Sequence, residues 1–203
     1  AKGMAASPQS LISSRWEAYR KKHLTKYRLA RSRGAVDPAV VPLLDLINAS
    51  PHYVTTSSCS GRIVLLSTGP TEKKGESFFY RKWHRPVLFE EVWDALKAYS
   101  GATLWFKFDP FIIHIGARGL GEALRIVSLA RSAGVKIAGV QSADSSKYHV
   151  EIRGIDSMAV PVYDGELLVD RRYVKALVRF ANKKMARNAA RLSKLFSVVS
   201  TGL

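Results

Sequence analysis

The sequence predicts an α+β protein, a single globular domain with a mixed β-sheet and basic N- and C-terminal helices. Three observations lead to this fold class. A chain of 203 residues with 47% hydrophobic content suits one domain. Apolar residues recur at helical spacing at both ends of the chain, and short strand-like segments fill its middle.

Five segments have the pattern of helices. Gly34 and Gly134 are expected to end the first and fourth of them, and Pro38 lies in the first turn of the second behind Asp37 as its N-cap. The predicted helices are Ser10 to about Arg33, Asp37–Ile47, Pro86–Tyr99, Leu120–Ala133 and a long C-terminal helix after Gly165.

Strand signals fill the remainder of the centre. They are short runs of β-branched and aromatic residues bounded by glycine, proline or small polar residues. The predicted strands are Tyr53–Thr56, Arg62–Ser67, Ser77–Trp83, Thr103–Phe108, Phe111–Ile115, Val135–Gln141, Tyr148–Arg153 and Met158–Val162.

The positive charge lies at the two ends of the chain. Residues 1–34 and residues 170–203 each hold nine Lys or Arg and one acid, whereas residues 35–169 hold fourteen of each sign. The net charge of +16 therefore belongs to the ends, and its expected partner is a polyanion such as nucleic acid. We predict one domain over 1–203, with a basic helical arm (1–34), a neutral α/β core (35–169) and a basic C-terminal helix (170–203).

Basic residues follow each other at helical spacing along the C-terminal helix, with no acid after Asp170. Like charges three and four residues apart weaken a helix, so this pattern favours a surface that follows phosphates. A solvated helix face in a heat-tolerant protein is the alternative. The residues predicted to contact RNA are Lys22, Lys26, Arg172, Lys175, Arg179, Lys183, Arg187, Arg191 and Lys194.

The segment Ser57–Arg62 is the densest candidate for a binding site. Three serine hydroxyls, a glycine turn and the guanidinium of Arg62 are groups that bind a carboxylate or a phosphate. An ordinary hairpin turn is the alternative. Cys59, the single cysteine, excludes an internal disulfide and is more typical of an inert buried thiol than of a nucleophile.

Two histidines are candidate proton acceptors. His114 interrupts the apolar run Phe111–Ile115, as either a satisfied core histidine or an imidazole on the inner face of a pocket. Trp83, His84 and Arg85 join a stacking ring, a titrating group and a cation, which suits nucleobase binding but also a generic strand end. The histidines and carboxylates form no metal-ligand pattern, so no metal is expected.

Glycines between a predicted strand and helix, Gly116–Gly121, occupy the place of a cofactor loop. Their spacing does not fit the dinucleotide fingerprint, and a glycine-rich connector explains them better. No apolar run is long enough to span a bilayer and no signal-peptide pattern opens the sequence, so we expect a cytoplasmic protein.

Several segments in order along nearly the entire chain closely resemble the tRNA wybutosine-synthesising protein 3 family, in its archaeal type. The stretch around Cys59 is the most specific of them. These segments are Ala35–Asp37, Ser57–Arg62 with the following Ile63–Leu66, Trp83-His84, Leu104–Phe108 through Pro110-Phe111 to His114, Ile152–Pro161 and Ala181–Met185.

The resemblance implies a tRNA methyltransferase that uses S-adenosyl-L-methionine. Its substrate would be the wyosine-type base (7-aminocarboxypropyl-demethylwyosine or a related precursor) at position 37 in the anticodon loop of phenylalanine tRNA, methylated at N-4. His84 or His114 would accept the proton. We expect Ser57, Ser58 and Arg62 to anchor an anionic group, either the carboxylate of the cofactor or an RNA phosphate, and Trp83 to stack on adenine or on a base. The cofactor-binding set also includes Gly61, and Cys59 for its shape and not for covalent chemistry.

Two other functions remain open. A non-catalytic tRNA-binding protein or modification scaffold explains the basic ends but not the polar segment Ser57–Arg62. Cys59 as a nucleophile in RNA thiolation or transglycosylation predicts that Cys59→Ser abolishes activity, whereas methyl transfer predicts a mild effect.

Overall fold

A computed structural model describes residues 8–71 and 74–203, and it confirms the α+β class. The helices are α1 (Pro8–Ser32), α2 (Val41–Ala49), α3 (Phe89–Lys97), α4 (Leu120–Ser132) and α5 (Arg171–Gly202). The strands are β1 (Tyr53–Cys59), β2 (Arg62–Thr68), β3 (Phe78–Trp83), β4 (Thr103–Asp109), β5 (Ile112–Ala117), β6 (Ile137–Asp144), β7 (Lys147–Arg153), β8 (Met158–Asp164) and β9 (Glu166–Leu167). In the part of the chain described here, no helix is both long and apolar enough to cross a membrane.

The prediction of one mixed sheet is wrong. The described strands form two sheets, β1-β5-β7-β6 and β3-β2-β4-β8-β9, and every pairing in them is antiparallel. Short turns such as the one from β6 to β7 can join antiparallel strands, whereas parallel neighbours need a long crossover. This reason accounts for the pairs of consecutive strands, β2 with β3, β6 with β7 and β8 with β9, whereas the other pairs join strands farther apart in the chain.

The chain forms two compact units, each assembled from separate segments. The first unit contains the described residues up to Cys59, Ile112–Arg153 and Arg191–Leu203. The second contains Ser60–Phe111 and Gly154–Ala190. The chain therefore passes between units four times, the last time within α5.

In the first unit, α1, α2 and α4 surround the four-stranded sheet. Helix α4 packs on β5, β6 and β7, where alternate residues such as Ile113, Ile115 and Val150 are fully buried. Helix α1 packs against β1. Its Trp16 is hydrogen-bonded to the segment before β1, since the indole N–H donates to the carbonyl of Pro51 over 3.1 Å. This burial of alternate residues is what the strand pattern predicts for one covered face.

In the second unit, one face of the five-stranded sheet forms an apolar core with α3 and the first part of α5. Its buried residues are Ile63, Leu65, Leu104, Phe106 and Phe108 from the sheet, Val92 and Leu96 from α3, and Val174, Val178 and Ala181 from α5. The periodicity of α5 noted in the sequence is thus the periodicity of its buried stripe.

A buried asparagine of α5, Asn188, forms hydrogen bonds with the backbone just before β2 and just before β5. The side chain of Asn188 is 3% exposed, accepts from the backbone N–H of Phe111 and donates to the carbonyl of Ser60, both over 2.7 Å. Two backbone groups at chain bends, which no sheet partner satisfies, are paired in this way.

Two predicted boundaries are wrong in ways that affect the site. The strand predicted over Tyr53–Thr56 continues to Cys59, so Ser57 and Ser58 belong to a strand, whereas Ser60 follows it. The second helix begins at Val41, because the backbone N–H groups of Val40 and Val41 donate to the carbonyls of Asp37 and Pro38 in a preceding turn. Asp37 is therefore not its N-cap.

Candidate active site

Ser57 reaches its position through an irregularity in strand β1. In the pairing of β1 with β5, Thr55 lies opposite Ile115 and Ser57 opposite His114, so Thr56 is an extra residue. A one-residue bulge reverses the alternation of faces along a strand. Thr55 therefore shares the buried side of Ile115, and Ser57 shares the side of His114.

Three side chains on neighbouring strands form a hydrogen-bonded chain. Ser57 Oγ lies 2.8 Å from His114 Nδ1, and His114 Nε2 lies 3.0 Å from a carboxylate oxygen of Glu151. The three residues are direct cross-strand partners, Ser57 with His114 and His114 with Glu151, which explains their alignment. The structure thus brings together two of the predicted site residues.

The hydrogen-bond partners define the tautomer of a neutral His114. An ionised carboxylate only accepts hydrogen bonds, so the Nε2–H of His114 donates to Glu151. Nδ1 is then an acceptor, and the Ser57 hydroxyl donates to it. This arrangement can move a proton from a hydroxyl to an imidazole and can stabilise the resulting imidazolium by the carboxylate beside it.

A pocket of about 260 Å³ lies beside this strand in the first unit. One wall carries the polar residues Thr56, Ser57 and Ser58, and Lys26 lies at its margin. The rest of its lining is largely apolar and comes mainly from α1, α2 and their connection. It consists of His23, Tyr27, Ala30, Ala35, Val36 and Leu44, with Thr55 of β1. A pocket with convergent hydroxyls, a cation and an apolar wall suits a small molecule that has both polar and apolar parts.

Two further histidines and a tyrosine are grouped beside the pocket wall. The rings of Tyr19 and His23 are 4.5 Å apart, and the Tyr19 hydroxyl lies 3.5 Å from His149 Nδ1. Burial, followed by the charges of nearby lysines, lowers the pKa of His23. Burial and then Lys147 lower the pKa of His149, so both imidazoles favour the neutral form. Burial raises the pKa of Tyr19 to about 12, and its phenol keeps its proton.

The remaining residues of the predicted binding segment differ in their surroundings. Cys59 is half-buried at the end of β1. Gly61 follows Ser60, the first residue of the second unit, and has a φ of 103°, a conformation that glycine tolerates. The Nε of Arg62 lies 3.1 Å from Asp109, and its guanidinium lies over the ring of Phe79 at 4.4 Å. The charge of Arg62 is therefore partly balanced within the second unit.

Trp83 and His84 also belong to the second unit. Trp83 is partly buried and packs on the apolar core, while His84 is exposed just after β3. The structure thus places Ser57, Ser58, Cys59 and His114 in the first unit, and the other predicted residues of the binding and catalytic sets in the second.

Most of the basic residues predicted to contact RNA are exposed. On α1 these are Lys22 and Lys26, and on α5 they are Arg172, Lys175, Arg179, Lys183, Arg187 and Lys194. Arg191 is partly buried, and Arg187 pairs with Asp156 over 3.0 Å. The cations of α5 therefore lie opposite its buried stripe, as a surface for phosphates requires.

Sequence reasoning missed Glu151 and Asp109. Glu151 alternates with the buried Val150 and Ile152, which indicates a residue on the uncovered side of β7. Only the register of β7 against β5 places it at His114, and no local pattern encodes that register. Asp109 likewise becomes the partner of Arg62 through the pairing of β2 with β4.

Comparisons with known proteins agree with one another. The family model described as methyltransferase TYW3 matches residues 18–201. A tRNA(Phe) 7-((3-amino-3-carboxypropyl)-4-demethylwyosine(37)-N(4))-methyltransferase 1 of Thermococcus kodakarensis is 37% identical, over 91% of this chain and 94% of its own. The mouse tRNA wybutosine-synthesizing protein 3 homolog is 35% identical, over 93% of this chain and 73% of its own.

Solved structures show the same likeness. A protein from Pyrococcus horikoshii superposes with a TM-score of 0.87 at 35% identity, covering 93% of this chain and 97% of that one. A hypothetical protein from Aeropyrum pernix gives 0.71 at 30% identity, covering 82% and 99%. Since the family model, the relatives and the solved structures agree, the chain belongs to the TYW3 family of tRNA-modifying methyltransferases.

Proposed function

We propose that this protein methylates N-4 of the 7-aminocarboxypropyl-demethylwyosine base at position 37 of phenylalanine tRNA, with S-adenosyl-L-methionine as the methyl donor. The names of several relatives give this substrate. The observation that carries the proposal is the chain Ser57–His114–Glu151, in which Ser57 also lines the pocket.

The lining of the pocket is compatible with part of the methyl donor. The ammonium of Lys26 and the hydroxyl of Ser58 suit its carboxylate, while the hydroxyl of Ser57 is engaged with His114. Tyr27 and Leu44 offer an apolar wall to its carbon skeleton. At about 260 Å³ the pocket is near the lower limit of small-molecule sites, about 300 Å³, so it would hold one portion of the donor. Cys59 and Gly61 remain predicted residues of the cofactor site, and Arg62 remains a predicted contact of the cofactor or of an RNA phosphate. Trp83 remains a predicted stacking partner of adenine or of a base.

Methylation of a ring N–H nitrogen forms one C–N bond, breaks the C–S bond that holds the methyl group in the donor, with its electron pair left on sulfur, and releases one proton from the nitrogen. When bound, the cofactor supplies the electrophilic methyl group. The oxygen of Ser57 takes the proton from N-4 while its own proton passes to His114 Nδ1. Glu151, which accepts from Nε2–H, stabilises the imidazolium that results. His84 remains the second candidate acceptor.

The exposed cations of α1 and α5 would hold the phosphates of the tRNA. An anticodon loop is single-stranded, so its modified base can leave the stack and enter a pocket while the stem is held by its backbone. Each phosphate contact adds to a salt-dependent affinity.

The test is methyl transfer itself. The protein is incubated with S-adenosyl-L-methionine and phenylalanine tRNA that carries the demethylated base, and nucleosides are analysed by mass spectrometry for one added methyl group. We expect His114→Gln to lower kcat about 10²- to 10⁴-fold, the usual contribution of a general base, without weakening tRNA binding. The matched control is His52→Gln, since His52 also faces a glutamate, Glu122 at 3.7 Å, but is not part of the serine chain.

Each outcome has a clear meaning. No added methyl group with the wild-type protein, at full tRNA binding, would favour the non-catalytic tRNA-binding function. Equal kcat for His114→Gln and His52→Gln would refute the role of His114 and transfer the assignment to His84.

A further inference from the structure

The five-stranded sheet of the second unit has a second face whose residues, apart from Arg62, have no part in the proposed reaction. The inner face carries Leu65 and Leu104 into the apolar core. Leu66 is the direct partner of both Phe79 on β3 and Trp105 on β4, so these three side chains lie on the opposite side. We call this side the outer face.

A groove of about 280 Å³ lies on the outer face. It is lined by Leu66, Thr68, Ser77, Trp105, Lys107 and Ala159. An indole ring, two hydroxyls and an ammonium group thus surround a space near the lower limit of small-molecule sites, about 300 Å³, which suits a single planar ring system.

Thr68 provides an independent indication of a ligand. Its side chain is 6% exposed, and its hydroxyl has no hydrogen-bond partner among the residues that the structure describes. A buried hydroxyl without a partner costs about 1–3 kcal/mol. Thr68 is among the residues that line the groove, so a polar ligand atom that reaches its hydroxyl from there would recover that cost.

Next to the groove, the outer face carries an exposed aromatic ring and several charged groups. Phe79 is 44% exposed, with the guanidinium of Arg62 at 4.4 Å from its ring and the ammonium of Lys82 at 5.9 Å. Asp109 lies within 3.1 Å of Arg62 and 3.5 Å of Lys107. Three cations around one acid leave an excess of positive charge beside exposed rings, which is complementary to a single-stranded nucleic acid.

We propose that the outer face binds a single-stranded segment of the RNA substrate, with one base stacked on Trp105 in the groove. The Thr68 hydroxyl bonds to that base or its ribose, and Phe79 stacks with a neighbouring base while Arg62, Lys82 and Lys107 face the phosphates. Double-stranded RNA is excluded, because its bases are stacked on one another and cannot reach the rings. The inference rests on the proposed function only in taking RNA as the substrate.

The sequence of β3 offers a matched control. Phe78 and Phe79 are adjacent, and both are exposed, at 58% and 44%. Phe78 pairs with Ser67, whose hydroxyl lies 2.7 Å from the hydroxyl of the core residue Tyr99, so Phe78 lies on the inner side of the sheet edge. Only Phe79 should contribute to binding.

The experiment measures fluorescence anisotropy of a fluorescein-labelled uridine octamer with wild type and with Phe79→Ala, Phe78→Ala, Trp105→Ala and Thr68→Val. Stacking is worth enough that Phe79→Ala and Trp105→Ala should each raise Kd about tenfold, and Phe78→Ala less than about twofold. Thr68→Val should raise Kd about threefold or more while increasing resistance to urea, because it removes an unsatisfied hydroxyl.

Opposite effects of Thr68→Val on binding and on stability would support the inference, since a structural role moves both in the same direction. Three results would overturn it: no binding of the octamer by wild type, equal Kd for the two phenylalanine variants, or equal competition by duplex RNA. No readout here uses methyl transfer. Absent methylation together with the expected octamer results would refute the proposed reaction and leave the RNA surface standing.

Discussion

Asn188 and Asn182 make the same pair of backbone hydrogen bonds from one helix, in different surroundings. Asn188 bonds to the N–H of Phe111 and the carbonyl of Ser60. Asn182 bonds to the N–H and the carbonyl of Val87, all four bonds measuring 2.7–2.9 Å. Asn188 is 3% exposed, whereas Asn182 is only partly buried. The two alanine variants therefore isolate the effect of burial.

We expect Asn188→Ala to lower the free energy of unfolding by about 4 kcal/mol, because each of two buried groups left without a partner costs about 1–3 kcal/mol. Val87 is itself only 2% exposed, but the amide of Asn182 that covers its backbone is partly exposed, so water replaces the amide in Asn182→Ala. This variant should therefore cost about 2 kcal/mol, the net worth of two bonds at about 0.5–1.5 kcal/mol each. The gain in helix propensity on changing to alanine, about 0.6 kcal/mol, is common to both variants and cancels in the comparison.

The assay is differential scanning calorimetry of both variants beside wild type. For a chain of this size 1 kcal/mol shifts Tm by about 2–4 °C, so the two Tm values should differ by about 4–8 °C. Equal Tm values would refute the reasoning, because they would mean that the buried groups near Asn188 find other partners or water once the amide is gone.

Two other perturbations test the surroundings of the site. The pKa values of His23 and His149 are lowered below 6.5 in the folded protein by burial and nearby lysines, so the unfolded chain binds more protons, and stability should fall as pH drops from 6.5 through the lowered values. Urea unfolding between pH 7.5 and 5.5 checks this, and His149→Gln should flatten the slope; a protein more stable at pH 5.5 would contradict it. Gly61→Ala should cost about 1–3 kcal/mol, since alanine is strained at a φ of 103° and its Cβ would lie 2.7 Å from Asn188 Nδ2. Gly139→Ala, with open space around the new Cβ, is the control, and equal thermal stability of the two variants would speak against the strain.

Local patterns predicted the elements of this fold far better than their partners. The spacing of apolar residues predicted the five α-helices in the part of the chain that the structure describes. This succeeded because the residues that bury one face of a helix lie close together in the sequence. The end of β1 was missed, since Ser57, Ser58 and Cys59 have turn-like composition and only pairing with β5 holds them in a strand. The mixed sheet was a wrong inference for the same reason: pairing depends on residues far apart in the chain.

For the candidate site, too, the sequence identified some of the residues but not the contacts between them. Ser57 and His114 were both singled out by residue type, but their contact depends on a bulge in β1 and on the β1–β5 register. Glu151 had no signal beyond strand alternation. Arg62 was predicted as an anion anchor, and its pairing with Asp109 adds a competing partner that the prediction did not include.

Because the chain passes between its units four times, the two units are completed at different times during synthesis. Strand β1 leaves the ribosome early, yet its partner β5 follows only after residues 60–111 have been made. The first unit further waits for residues 191–203, where the carbonyl of Gly202 accepts two hydrogen bonds from Arg125. The second unit can fold sooner, because its residues, 60–111 and 154–190, are all made before that segment. Nascent β1 therefore spends this interval as an unpaired strand, the state in which a chaperone would bind it or aggregation would begin.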